Sequence, residues 1–309
     1  MTTIGSTDVF PLALGANPFG WTSDEATSHE VLDAFVDGGG QVVDTADSYG
    51  DGASESILGS WFERTGRRDE VLLATKVGRK SDRRNLRPDT VRTAVGESLE
   101  RLRTDRVDLL WAHYDDEDTP LAETLATFEE LVQAGDVREL GISNYSPDRI
   151  LEWLEIAERE GFRKPVALQP EYSLLRRESY EDRRRAIATD AGLAVLPYWG
   201  LASGLLTGKY SSAEDIEQAA DSRRGGIAAG YASDEAFEVV RVVTEVARAQ
   251  DAEPGTVALA WLLGREGVSA PIASVSRPSQ LPSLLAVPQL RLSDEETARL
   301  TAASDAVGR

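Results

Sequence analysis

The 309-residue chain contains no cysteine, one methionine and two histidines, His29 and His113. Without cysteine there is no disulfide, no thiolate metal site and no thiol nucleophile. Two histidines are too few for a multi-histidine metal centre, so no metal is expected. The lack of thiols suits a reducing cytosol, and a cytoplasmic setting is the expectation. Lysine is scarce as well: Lys76, Lys80, Lys164 and Lys209 are the only ones, and arginine carries the remaining basic charge. Long apolar runs are missing. No stretch approaches the ~18–20 residues of a membrane helix. The opening MTTIGSTDVFPLALG has no basic segment followed by an apolar run and does not read as a secretory signal. The 33 basic residues face 53 acidic ones, a net charge of −20. A field of that sign repels nucleic acid and anionic membranes.

What the chain has is alternation. TTIGSTDVF reads as two short strands around a Gly-Ser turn. Strand-like runs follow near 12–15, 41–45, 71–76, 107–112, 136–142, 165–169, 193–198 and 271–274, eight after the hairpin. Amphipathic segments separate them. TSHEVLDAFVDGGG stops at a glycine cluster. RPDTVRTAVGESLERL places Pro88 and Asp89 at a helix start, where a missing N–H and a negative charge are tolerated. In TPLAETLATFEELVQAG, Thr119 reads as the cap, Pro120 as the first turn and Gly135 as the end. SPDRILEWLEIAEREG repeats that grammar. Strand–helix repetition predicts an α/β fold with a parallel sheet, most economically a (β/α)8 TIM barrel spanning 1–309 as one domain. The connection 200–267 breaks the rhythm, with about two helices' worth of sequence and the stretch SRRGGIAAGYAS. Long connections are usually functional, and this one reads as cover over the active rim.

Chemistry-bearing residues sit where strands end. QVVDTADSYG, VLLATK and VDLLWAH deliver Asp44, Tyr49, Lys76 and His113. In such a barrel the carboxyl ends of the strands form the reactive rim. A phenol beside an ammonium suggests a proton donor tuned toward neutral pH. Singly, each residue has a structural reading: a turn carboxylate, a packed tyrosine, a solvated lysine, a satisfied histidine. His29, mid-helix among charges, reads as inert, and Trp111 as barrel filling.

DTADSYG, ATKVG, LLWAHYDDEDTP, GISNYS, LQPEYS, PYWGLASGLLTGKY and SVSRPSQL, in that order over nearly the whole chain, resemble the aldo-keto reductase superfamily. The resemblance implies an enzyme using NADPH, with NADH possible, to reduce an aldehyde or ketone to the alcohol. It implies a catalytic tetrad. Tyr49 donates the proton, Lys76 stabilises the phenolate, Asp44 holds Lys76, and His113 orients the carbonyl. It further implies that Ser143, Asn144 and Gln169 bind the nicotinamide carboxamide and that Tyr198 stacks on its ring. Leu201, Ser203, Gly204, Leu206 and Lys209 then lie along the pyrophosphate, which exposed N–H groups can cradle. Ser274, Ser276, Arg277 and Gln280 meet the adenosine phosphate, where a guanidinium suits the 2′-phosphate. The chain departs from the family at Gln280, where many relatives carry arginine, and at Leu284, where many carry asparagine.

For substrate, Trp21 and Trp199 are expected to wall an apolar pocket beside Tyr49 and His113. Tyr114 and the acidic loop 115–118 follow His113; their acidity either discourages anionic substrates or belongs to a solvated capping loop. The expected partner is a small-molecule carbonyl compound, with no nucleic acid and no membrane. Two other readings stay open. One is an NADPH-binding regulatory or redox-sensing subunit with little turnover. The other is a barrel lyase or hydrolase using Asp44 and Lys76 as an acid/base or Schiff-base pair.

Overall fold

The computed structural model describes residues 1–210, 212–218 and 223–307. Strands β1 (Thr2–Ile4) and β2 (Thr7–Val9) form an antiparallel hairpin turning at Gly5, whose φ of 56° lies in the left-handed region that side chains resist. Strands β3 (Ala13–Gly15), β4 (Val42–Asp44), β5 (Leu72–Val77), β6 (Val107–Ala112), β7 (Val137–Ser143), β8 (Ala167–Gln169), β9 (Ala194–Val195) and β10 (Ile272–Ala273) pair in parallel, in the order β10-β3-β4-β5-β6-β7-β8-β9. The two ends meet: Val195 bridges Val268, and the Ile272 N–H donates to the Pro197 carbonyl at 2.8 Å. This is the expected (β/α)8 barrel with its N-terminal hairpin. The run 193–198 contributes the short strand β9, and beyond it the Leu196 and Tyr198 N–H groups still donate to the Leu168 and Pro170 carbonyls, both at 2.9 Å.

The helices between the first strands follow the sequence grammar: α1 (Glu25–Asp37), α2 (Ala53–Thr65), α3 (Pro88–Leu102), α4 (Leu121–Ala134) and α5 (Pro147–Glu160). At α5 the Ser146 side chain accepts from the Arg149 N–H, Pro147 opens the helix, and Gly161 ends it at φ 70°. At α4 the expectation fails. The boundary residue is Pro120, and the Thr119 hydroxyl instead donates to Asp116 Oδ2 at 2.6 Å, closing the loop before the helix.

The connection 200–267 holds more helix than expected: a tight turn at Ala202–Thr207, then Ala213–Gln218, Arg223–Ala229, Asp234–Ala249 and Pro254–Leu263. Of SRRGGIAAGYAS, Ser222 lies outside the described residues. Beyond β10 come the helices Leu281–Leu285 and Asp294–Asp305, the latter opened by a reciprocal Ser293–Glu296 capping box. No helix among the described residues is long and apolar enough to cross a membrane.

The barrel interior decides which mouth is open. Ala13, Val42, Ala74, Leu109, Trp111, Ala167, Ala194 and Ile272 pack there with Ile4 and Val9 of the hairpin. The hairpin therefore plugs the amino-terminal mouth, and the opposite rim is left for chemistry. Trp111 fills the barrel as expected. It pairs across from Gly141, and a Cβ at Gly141 would fall inside the indole's van der Waals envelope. Gly141→Ala is therefore predicted to destabilise the fold by about 1–3 kcal/mol through overpacking. That outweighs the ~0.5–1 kcal/mol of chain entropy that alanine recovers over glycine. Urea unfolding measures it; a midpoint at or above wild type would mean that Trp111 moves aside freely.

Candidate active site

Four side chains from separate elements converge at the carboxyl ends of the strands. Asp44 is the last residue of β4, and Lys76 lies one residue from the end of β5. Lys76 Nζ donates to Asp44 Oδ2 at 2.5 Å, to the Thr45 carbonyl at 2.8 Å and to the Tyr49 hydroxyl at 3.3 Å. It also stands 5.0 Å from the Tyr49 ring centroid. The His113 and Tyr49 rings meet edge-on, their centroids 6.3 Å apart. Tyr49 opens a turn in which Gly50, Asp51 and Gly52 all take positive φ. The turn is pinned by Ser54, whose hydroxyl donates to the Ala16 carbonyl and bonds Thr45 Oγ1. Asp51 pays for this shape with backbone strain, which tends to collect at functional sites.

Electrostatics sorts the four into roles. Burial alone would lower the Lys76 pKa; the Asp44 carboxylate and the Tyr49 phenol outweigh it, and Lys76 titrates above its usual value. Burial, with the charges of Lys76 and Arg79, holds His113 well below the ordinary histidine range, so its imidazole is neutral at pH 7. Tyr49 departs from the expectation of a phenol tuned toward neutrality. Burial raises its pKa more than Lys76 lowers it, and the net shift is upward.

The residues expected at the nicotinamide form one hydrogen-bonded strip that runs into the tetrad. The Tyr198 hydroxyl donates to Asn144 Oδ1 at 2.8 Å. Asn144 Nδ2 donates to the His113 carbonyl and to Ser143 Oγ, both at 2.9 Å. The Ser143 hydroxyl donates to the Gln169 carbonyl at 2.8 Å, and Gln169 Nε2 donates to Asp44 Oδ1 at 3.1 Å. Gln169 therefore holds the second oxygen of the carboxylate that grips Lys76, a link that local sequence does not signal.

A groove of about 600 Å³ begins at Trp199 and Gly200, directly after Tyr198, and no residue of the strip or of the tetrad lines it. Trp21, Trp199, Leu201, Ser203, Gly204, Lys209, Ser274, Arg277 and Gln280 line it, together with Leu284 and with Ile227 from the long connection. From that connection Leu201, Ser203, Gly204, Thr207, Lys209 and Ile227 contribute to the lining. Trp199, Ala202 and Ser203 have positive φ, as does Asn144 of the strip. Gly204 leaves room for the Lys209 ammonium, which a Cβ would meet at 2.8 Å. Ser276 and Gln280 engage each other, Gln280 Oε1 accepting from the Ser276 N–H at 3.0 Å and its hydroxyl at 3.3 Å. Leu206 is fully buried and lies outside the lining.

Several participants were not singled out by sequence. Asn17, just past β3, lines the groove and accepts from the Ser274 hydroxyl at 2.8 Å; its place after a barrel strand was the available signal. Thr207 and Glu253 also line it. The acidic loop is engaged structurally: Asp115 takes both arms of Arg149, and Asp116 accepts from the Leu86 N–H and the Thr119 hydroxyl. His29 is structural, bonding the Ile57 carbonyl and Ser60 Oγ. Among the described residues no group of three or more carboxylates or imidazoles could hold a metal.

Comparison with known proteins matches this architecture to one family. The profile described as "Aldo/keto reductase family" matches residues 11–305. The chain is similar to the Schizosaccharomyces pombe aldo-keto reductase yakc, whose name specifies NADP(+), at 32% identity over 302 residues, covering 93% of this chain and 85% of the relative. It is similar to the uncharacterized oxidoreductase YrpG of Bacillus subtilis at 34% identity, covering 94% of this chain and 90% of the relative. Human aflatoxin B1 aldehyde reductase member 4 is 39% identical over 198 residues, 64% of this chain and 59% of the relative.

Asp47 gives the site a pH signature. It is fully buried between Asp44 and Tyr49 in sequence, and among the described residues neither carboxyl oxygen has a hydrogen-bond partner. Burial, reinforced by the nearby Glu55 carboxylate, pushes its pKa up to about 7 from 3.8. Below both values the carboxyl is protonated folded and unfolded, and no stability is lost. As pH rises through this window the unfolded chain releases the proton and the folded one keeps it, so stability falls by ~1.4 kcal/mol per pH unit, then levels off. Asp47→Asn removes this slope. Its stability relative to wild type should rise by a few kcal/mol between about pH 4 and pH 8. Urea unfolding at both pH values measures the change; a pH-independent difference would contradict the assignment.

Proposed function

This chain belongs to the aldo/keto reductase family and is an oxidoreductase, and on that premise we propose that it reduces an aldehyde or ketone to the alcohol with NADPH, Tyr49 giving the proton. The observation that carries this reading is the Lys76 ammonium, held by Asp44 and in contact with the Tyr49 hydroxyl. NADPH, when bound, supplies the hydride for the carbonyl carbon.

The chain's own residues handle the oxygen. As negative charge grows there, Tyr49 transfers its phenolic proton, and the adjacent ammonium stabilises the phenolate left behind. A phenol raised by burial stays protonated through neutral pH, so the donor is loaded; the cation supports it only as the proton leaves. His113, neutral, can donate one ring N–H to the carbonyl oxygen. Its buried Nδ1 has no partner among the described residues. Asn144 fixes the backbone of His113, and Gln169 fixes Asp44.

The groove suits a dinucleotide phosphate. Lys209 and Arg277 bring positive charge, Ser203, Gly204 and Ser274 bring donors, and the Tyr198 ring is fixed through its hydroxyl. Arg277 at the groove favours NADPH, with NADH a poorer substitute. Asn144, Ser143 and Gln169 would offer the carboxamide their remaining acceptors, and Trp21 and Trp199 would wall the substrate. In this reading residues 1–309 work as one catalytic domain, in the cytoplasm, on a small-molecule carbonyl compound. A Schiff-base role for Lys76 fits poorly, because that chemistry needs a neutral amine and this one is held charged. A binding-only subunit would leave the buried tetrad without work.

Tyr49→Phe should leave NADPH affinity, followed by tryptophan fluorescence, near wild type while lowering carbonyl turnover on the order of 10²–10⁴-fold. Full turnover in that variant would remove Tyr49 from the mechanism. Arg277→Ala should weaken NADPH on the order of tenfold while changing NADH little; equal losses for both nucleotides would move the 2′-phosphate contact elsewhere.

A further inference from the structure

Arg79 is a cation at the rim that the proposed reaction does not use. After β5, Gly78 turns the chain at φ +99°, a conformation closed to side chains, where a Cβ would also strike Leu86. Arg79 then emerges exposed, its guanidinium carbon 4.5 Å from the Tyr114 ring centroid. The Tyr114 ring lies 5.4 Å from that of His113, which meets Tyr49 edge-on. Two rings thus separate the guanidinium from the proton donor.

The acids that could neutralise Arg79 are engaged elsewhere. Asp115 is held by Arg149, Asp116 by Leu86 and Thr119, and Asp51 by Lys80 at 3.4 Å. Among the described residues Arg79 makes no ion pair. A guanidinium stacked on a ring keeps its edge N–H donors free, in the fork that fits a carboxylate or phosphate oxygen pair. Its charge also reaches into the site: burial raises the pKa of Tyr49 and Tyr198 and lowers that of His113, and Arg79 is a lesser influence that pulls all three downward.

We propose that Arg79 is a specificity-determining residue that selects carbonyl substrates bearing an oxyanion, a carboxylate or a phosphate monoester. The inference rests on the carbonyl-reductase reading of the same site. The chain's net charge of −20 does not oppose it at contact range. Exposed charges beyond ~8 Å are largely screened at physiological salt, whereas a paired fork acts within hydrogen-bond distance. The overall charge slows the approach of anions; the local cation decides which are kept.

The test compares 4-carboxybenzaldehyde, 4-formylphenyl phosphate and benzaldehyde in NADPH consumption by wild type, Arg79→Ala, Arg79→Lys and Arg79→Glu. The ratio of kcat/KM for each anionic aldehyde over benzaldehyde should fall at least tenfold in Arg79→Ala, mostly through KM, with partial retention in Arg79→Lys. Arg79→Glu should turn preference toward 4-(trimethylammonio)benzaldehyde, a reversal that a merely structural role would not produce. The two anionic aldehydes separate a carboxylate site from a phosphate site. Calorimetric binding of 4-carboxybenzaldehyde and 4-formylphenyl phosphate, to wild type and Arg79→Ala, gives a readout independent of turnover. If wild type binds either anionic aldehyde but reduces none, and Arg79→Ala loses that binding, the reaction assignment falls and the anion site stands. Ratios and affinities unchanged in Arg79→Ala would overturn the inference.

Discussion

Lys76 carries its ammonium at 0% exposure and Asp44 its carboxylate at 2%, and withdrawing two such charges from water costs several kcal/mol each before their attraction counts. A hydrophobic pair of the same volume would serve the barrel's stability as well or better. The pair persists here with every remaining bond supplied: the Thr45 carbonyl and the Tyr49 hydroxyl on the lysine, the Gln169 amide on the second carboxylate oxygen. Full satisfaction makes the arrangement stiff, and stiffness is what a proton donor needs if the cation is to meet phenolate charge without rearrangement. The buried charge is better understood as a cost the fold carries for chemistry than as part of what holds it together.

The same rigidity extends sideways. Tyr198, Asn144, Ser143, Gln169, Asp44, Lys76 and Tyr49 form one continuous hydrogen-bonded strip along four strand ends. Residues proposed to face a nicotinamide and residues proposed to handle the substrate oxygen are thus parts of one network, and displacing either end is felt at the other. Left-handed backbone at Asn144, Trp199, Ala202 and Ser203 clusters along this edge. Non-glycine residues enter that region at an energetic cost, and their concentration on one rim marks where the scaffold holds unusual geometry in place.

The sequence reveals the scaffold because barrel grammar is local. Strand ends, the Gly5 turn, Pro147 after Ser146 and the glycines that end α2, α4 and α5 can all be read over a few residues. It also reveals that Asp44, Lys76 and His113 come to one rim, since those side chains lie at the ends of recognisable strands. It hides whatever depends on summed distances through space. The direction of the Tyr49 shift depends on the balance between burial and the charges around it, and the strand-end pattern points only to Lys76. Thr119 looked like a cap until Asp116, three residues earlier, proved the better partner. Asp47 and Arg79 flank the proposed catalytic residues, yet one is sealed without a hydrogen-bond partner among the described residues and the other is stacked in solvent. Nothing in the flanking residues distinguishes those fates.

Charge shows the same separation of global from local. An excess of twenty acids would suggest a molecule hostile to anions, yet the acidic loop after His113 is spent on structure. Asp115 is tied to Arg149, and Asp116 closes a loop. Meanwhile Arg79, Lys209 and Arg277 stand along the groove and rim with no ion pair among the described residues, two of them over aromatic rings. Screening confines each sign to its neighbourhood within about 8 Å. The surface can therefore be acidic overall while these three cations keep their charge unpaired along the groove and rim.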